Sequence, residues 1–322
     1  MRRRDFALLA LATPAVARAQ AAERWDLPTG FIDSNFHTQT LRGFCEDVAQ
    51  RSGGKLDIRL HPNNSLLAFA GIRRAVQQGQ VQAGESLLSL HGNEDPILEA
   101  DAIPYLAVGY DQAMTLYRAQ RPFVDARFAQ IGLRLLYAVP WPGQGLYTKA
   151  PVTTLADLRG MRMRTPTPAS TRLAELIGAV PTMVQSGEVA QAFATNVVTG
   201  MMTSAPTGID TQAWEFARYF YTADSWHPKN GVMVNARAFD RLDPAVKTAV
   251  LEAAAAAELR GWAASQASDV AAKQRLVAQG MQVLPVPPAL DAEFKAASRQ
   301  IAATWAARAG EPGATVIRAM GG

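Results

Sequence analysis

The stretch Leu155–Pro166, LADLRGMRMRTP, contains a helical turn, a glycine stop, a short strand and a Thr/Pro loop, and a helix follows over 171–177. A strand that opens onto a helix is the unit of an α/β fold, and ligands gather at the carboxyl ends of such strands. Strand alternation puts Arg162 and Arg164 on one face and Met161 and Met163 on the other. Arg162 begins the strand and reads as a surface charge. Arg164 ends it, where a guanidinium can give two parallel hydrogen bonds to a carboxylate. The competing reading for Arg164 is an internal salt bridge.

The same rhythm extends in both directions. Towards the N-terminus, Thr38–Gly53 reads as a helix, because Leu41, Phe44, Cys45 and Val48 share one face. Lys55–His61 alternates as a strand, 69–78 is a helix stopped by Gly79, and 81–90 begins as a strand carrying Glu85. Strand after helix predicts a parallel sheet covered by helices. A second block opens with the strand 133–139, the loop Pro140–Gly145 and a short strand 146–148. Towards the C-terminus come a helix over 187–195, a strand over 197–203 and a buried strand over 231–235. Asp243-Pro244 is an N-cap followed by a first-turn proline. From there to the stop at Gly280 the pattern is helical, either as one helix of about 50 Å or as two broken near Gly261. Residues 290–309 form a last amphipathic helix.

The chain begins MRRRDFALLALATPAVARAQA. A basic start, an apolar run and Ala17-Arg18-Ala19 predict an export signal over 1–19, by a twin-arginine or an ordinary route, and hence a periplasmic protein. The leader up to Ala19 holds four of the 32 basic residues and one of the 28 acids, leaving 28 and 27 in the mature chain. The basic pI therefore says little about partners. With no Lys/Arg cluster interleaved with aromatics, nucleic-acid binding is set aside. The single Cys45 permits no internal disulfide and reads as a buried thiol. The four histidines are scattered, so neither a metal site nor a cofactor is indicated. No nucleophile–base pair emerges.

About 300 mature residues predict two lobes: 20–139 with about 215–250, and 140–214 with about 251–322, the helix 243–280 bridging them. Besides Arg164, the candidate ligand-binding residues sit at strand ends and in loops. Thr203 and Ser204 could donate hydroxyls, or cap the following turn. Glu85 could take a ligand hydroxyl or ammonium, or pair with a base. Asn35 and His37 precede the first helix and could line its mouth, or cap it. Trp141, Gln144, Tyr147 and Trp226 lie in or beside loops, where large aromatics form pocket walls or simply pack.

Several pieces in order resemble one family: DLRGMRMR, LAELIGAVPTMV, SGEVAQAFATNVVTG and the MMTS strand end, with RSGGKLDIRLHPNNSL and RRAVQQGQVQAGE before them and VNARAFDRLDPAVKTAV after. Over roughly 35–280 the chain resembles the DctP-type solute-binding proteins of tripartite ATP-independent periplasmic (TRAP) transporters. The resemblance implies two α/β lobes joined by crossing strands and a long bridging helix, closing on a ligand whose carboxylate meets Arg164. It also implies TRAP membrane subunits as partners. Two positions depart from the family pattern. Thr203 stands where an asparagine is frequent, and Gly145 stands at or near a second arginine. The implied ligand is a monocarboxylate, such as an aromatic or 2-oxo acid, captured by a monomeric carrier. The alternatives are a sensor for a membrane signalling partner, and an exported enzyme of the same shape.

Overall fold

The computed structural model describes residues 22–321; the expected leader over 1–19 lies outside them. Eleven strands and nine α-helices are described. The first half contains β1 (Glu23–Pro28), α1 (Phe36–Arg51), β2 (Leu56–His61), α2 (Ile72–Gln78), β3 (Ala83–Leu87), α3 (Gly109–Gln130), β4 (Leu133–Pro140) and β5 (Gly145–Thr148). The second half contains β6 (Arg162–Thr165), α4 (Pro168–Leu176), β7 (Val180–Met183), α5 (Val189–Ala194), β8 (Gly200–Thr203), α6 (Ala205–Asp210), β9 (Tyr219–Thr222), β10 (Lys229–Asn235), α7 (Ala236–Arg241), α8 (Pro244–Ala278), β11 (Gln282–Pro285) and α9 (Pro288–Ala319).

The fold is α/β with two lobes. In the first, the parallel pair β1–β2 stands beside the sheet β3–β10–β4; in the second, one sheet runs β11–β9–β5–β8–β6–β7. The expectation of parallel sheets holds only in part. β6 is parallel to β7 and β8, and β9 to β11, but β10 is antiparallel to β3 and β4, and β5 to β8 and β9. The exceptions are the two strands that enter each lobe by crossing from the other. The crossings, 141–144 and 223–228, are tied together. Trp141 N donates to Pro228 O at 2.8 Å, Gln144 N to Trp226 O at 3.1 Å, and Ser225 Oγ to Gln144 O at 3.1 Å.

The lobe limits need correcting. Residues 219–222, expected in the first lobe, form β9 of the second lobe's sheet, and the chain returns only at β10. α9, expected with the second lobe, packs on α3 and the 96–102 turn of the first as well as on α4. α8 is one continuous helix of 35 residues, about 52 Å long. Gly261 does not break it: a Cβ there would strike Val139 and Thr40, so the glycine lets α8 lie close on β4 and α1. Val250, Ala253 and Ala257 bury in the first lobe's core with Phe44, Tyr137 and Val232. Ala272 and Leu276 bury in the second lobe's core with Met201 and Phe220. One small-residue face thus serves both cores, which is why the helix can bridge them.

The sequence reading assigned no structure over 91–132, where the 22-residue α3 lies with Pro122 inside it. α1 starts two residues earlier than expected, with Asn35 as N-cap, its Oδ1 accepting from His37 N. No described helix is long and apolar enough to cross a membrane.

Candidate functional site

β6 is a four-residue strand of which only Arg162 is exposed. Its end carries Arg164 into a cavity between the lobes while Met163, on the opposite face, enters the core. Arg164 is 3% exposed. Its Nε donates to Val184 O at 2.8 Å, which fixes the plane of the guanidinium. Its Nη1 is buried without a partner. No described acid pairs with it, and loss of water alone pushes it down to about 10. A buried cation with an idle donor is costly unless an anion joins it.

The cavity opens between the lobes, with about 590 Å³ of non-atom space when the open solvent at its mouth is included. The first lobe contributes Gly30, Phe31, Asn64, Phe69 and Leu87; the crossings contribute Trp141, Gln144 and Pro228; the second lobe contributes Arg164, Pro166, Gln185, Ser186, Gly187, Thr203 and Thr207. Among the described residues Arg164 is the one cation in this lining, and none of them brings a carboxylate into it. Gln144 is braced by its own loop, Nε2 donating to Pro142 O at 2.8 Å. Trp141 is held by its indole N–H to Asn230 Oδ1 at 3.0 Å and stands edge-on to Phe31 and Phe36.

Four expected residues meet in this lining: Arg164, Thr203, Trp141 and Gln144. The others stand elsewhere. His37 packs its ring on Trp141, centroids 4.4 Å apart, and its Nδ1 lies 3.3 Å from Glu85 Oε1. Glu85 is buried in β3 and accepts from Thr29 Oγ1. Both lie behind the aromatic wall and support it. Asn35 caps α1 and reaches Asp210 across the lobe boundary. Ser204 hydrogen-bonds Thr207 at 3.2 Å and starts α6, so it sets the direction of Thr207. Tyr147 is a core brace: it stacks on Phe220 at 4.2 Å and donates to Ser204 O. Trp226 lines a separate apolar pocket with Tyr105, Leu146 and Phe294. Tyr147 departs because alternate side chains of β5 enter opposite faces, and its face is the lobe's interior.

Gln185, Ser186 and Gly187 were missed because β7 was not recognised. The same strand-end rule that selected Arg164 applies to them once that strand is seen. Gly145 lies between β8 and β9, where a Cβ would strike Tyr221 O and the Phe220 ring. A second arginine has no room there. Cys45 is buried among apolar side chains that push its thiol up to about 12, so it stays protonated.

The model of the DctP family, bacterial extracellular solute-binding protein family 7, matches residues 32–308. The ectoine/5-hydroxyectoine-binding periplasmic protein UehA of Ruegeria pomeroyi is 26% identical over 324 residues, spanning 98% of this chain and 95% of UehA. Among solved structures, DctP6 of Bordetella pertussis, an extracytoplasmic solute receptor binding pyroglutamic acid, is 42% identical. It superposes with a TM-score of 0.91 over 92% of this chain and 99% of DctP6. A TRAP solute-binding protein from an unidentified microbe of a marine metagenome, specific for pyroglutamate, is 34% identical with a TM-score of 0.92, over 94% and 99% of the two chains. A two-lobed fold, an unpaired arginine between the lobes and a family match across most of the chain lead to one conclusion: this protein belongs to bacterial extracellular solute-binding protein family 7, as a solute-binding protein of the TRAP type.

Proposed function

We propose that the protein is a periplasmic receptor for a small cyclic monocarboxylate of the pyroglutamate type, which it presents to TRAP membrane subunits. The observation that carries this reading is Arg164, a buried guanidinium with an unpartnered Nη1 and no acid beside it among the described residues. A ligand carboxylate supplies the missing charge, and closing lobes exclude the water that would weaken the pair. The rest of the lining selects the body of the ligand. Phe31, Phe69 and Trp141 offer flat apolar surface, and Gln144, Thr203 and Thr207 offer a few polar atoms. With one cation and no carboxylate, the cavity suits one negative charge and an uncharged ring. A dicarboxylate would leave its second charge uncompensated. The cationic ring of an ectoine-like ligand would find no counter-charge.

The test is calorimetric titration of the mature protein, with melting curves, against L-pyroglutamate, ectoine, succinate and glucuronate. Pyroglutamate should bind saturably and, at 1,000 times its Kd, add about 4 kcal/mol of stability. Stabilisation by ectoine or succinate without pyroglutamate, or by none of the four acids, would overturn the reading.

A further inference from the structure

We infer that Asn35 and Asp210 form a latch between the lobes that holds the receptor closed and sets how slowly its ligand leaves. The inference rests on the proposed function only in requiring that the lobes close on an acid.

Asn35 belongs to the first lobe and is 2% exposed. As N-cap of α1 it uses Oδ1 to accept from His37 N at 2.9 Å, which leaves its amide nitrogen free to donate outwards. That nitrogen donates to Asp210 Oδ2 at 2.6 Å, across 175 positions of sequence. Asp210 is the last residue of α6 in the second lobe. A bond between an amide and a carboxylate is of the stronger, charge-assisted kind.

Each partner is rigidly joined to a wall of the cavity. α6 follows Thr203 by one residue and carries Thr207, and both line the cavity. α1 carries His37, whose ring packs on Trp141. The bond therefore exists only when the two walls stand at their present separation, so any opening movement must break it. Asp210 is half-buried, and that burial pushes its carboxyl up to about 6, opposed by the Asn35 amide. Arg275 of α8 lines the same small surface pocket, but no described ion pair joins it to Asp210. The Asn35 amide is the one described side-chain partner of that carboxylate. Removing the Asn35 amide takes from Asp210 its described side-chain partner, and removing the carboxylate leaves the buried Asn35 amide without one; either weakens the closed state.

The experiment is stopped-flow dissociation and association of L-pyroglutamate with the wild type, Asp210→Ala, Asp210→Asn and Asn35→Ser. Serine keeps a capping oxygen for α1 and is too short to reach Asp210. Asp210→Ala and Asn35→Ser should dissociate about tenfold faster, with association within twofold of wild type. Asp210→Asn retains an acceptor and should return to within threefold. Wild-type dissociation rates in Asp210→Ala and Asn35→Ser would overturn the latch and leave the ligand reading standing. If the wild type binds no pyroglutamate, the ligand reading falls. The latch is then read by small-angle scattering of the ligand-free protein. A larger radius of gyration in Asp210→Ala and Asn35→Ser than in wild type supports it, and unchanged radii overturn it.

Discussion

Glu99 and Arg164 are both buried charges, 0% and 3% exposed, and the protein treats them in opposite ways. Glu99, in the 96–102 turn of the first lobe, is gripped by Arg172 of α4 and Arg308 of α9, so three parts of the chain meet at one carboxylate. Arg164 has a carbonyl on one nitrogen and nothing on another. The cost of drying a charge is the same kind of quantity in both places. At Glu99 the chain supplies the counter-charge itself, and the cluster ties the lobes and the last helix together. At Arg164 the counter-charge is left for a ligand. A complete cluster belongs to the architecture; an incomplete one marks where something from outside completes it.

The largest effect expected from this contrast is at Arg164. Arg164→Met should reduce affinity for the acid by about a hundred- to several-thousandfold, since breaking a buried charge pair costs about 3–5 kcal/mol. The ligand-free variant should melt no lower than wild type, because an uncompensated charge has been removed. Calorimetry and melting curves report the two halves separately, and a large fall in Tm would make Arg164 architectural like Glu99. Glu99→Gln should do the reverse. Urea unfolding should show a loss of about 3 kcal/mol, the lower end of that range because Arg172 and Arg308 keep about a third of their exposure. Affinity for the acid should fall far less than in Arg164→Met, because Glu99 is outside the cavity lining, although its pair with Arg172 also spans the lobes. If stability is unchanged, the contrast fails at that end.

The smallest effect concerns a buried group kept neutral. His227 sits in the second crossing, its Nδ1 donating to Trp141 O at 3.1 Å. Burial, with Lys229 beside it, pushes it down to about 4, below the usual 6.5. The unfolded chain therefore takes up this proton first as pH falls. The stability tied to His227 is whole above 6.5 and is lost between 6.5 and 4, about 2 kcal/mol by pH 5 at 1.36 kcal/mol per unit. Asp101 works the other way. Burial raises its carboxyl to about 6 against the pull of Lys229, so it regains stability as pH falls from 6 towards 3.8. His227→Gln should flatten the loss between pH 7 and pH 5 in denaturant titrations by about 1–2 kcal/mol, and an unaltered pH profile would show that His227 is not held neutral by its surroundings.

The legible parts of the sequence were those whose physics is local. Asp243-Pro244 announces a helix start because a side-chain acceptor and a fixed φ act within one turn, and α8 starts there. Gly79 and Gly280 stop helices because they adopt φ of +73° and +87°. Arg164 could be singled out because strand parity and the strand-end rule need only a few residues. The short strands β7, β9 and β11 were invisible, since four residues such as YFYT become a strand only when a neighbour offers a ladder. α3, with Pro122 inside it, was not legible, because Leu116, Tyr117, Val124 and Phe128 are buried by packing against distant segments.

By itself the sequence determined the α/β rhythm, the bridging helix, the export leader as an expectation and the arginine at a strand end, because periodicity, capping and turn chemistry act over a few residues. Only the tertiary structure decided that Arg164 has no internal acid, that Tyr147 faces the core while Trp141 faces the cavity, that Gly145 leaves no room for a second arginine, and that Asn35 meets Asp210. Those outcomes depend on which distant segments share a space, and burial and pairing are properties of that shared space rather than of any residue's neighbours along the chain.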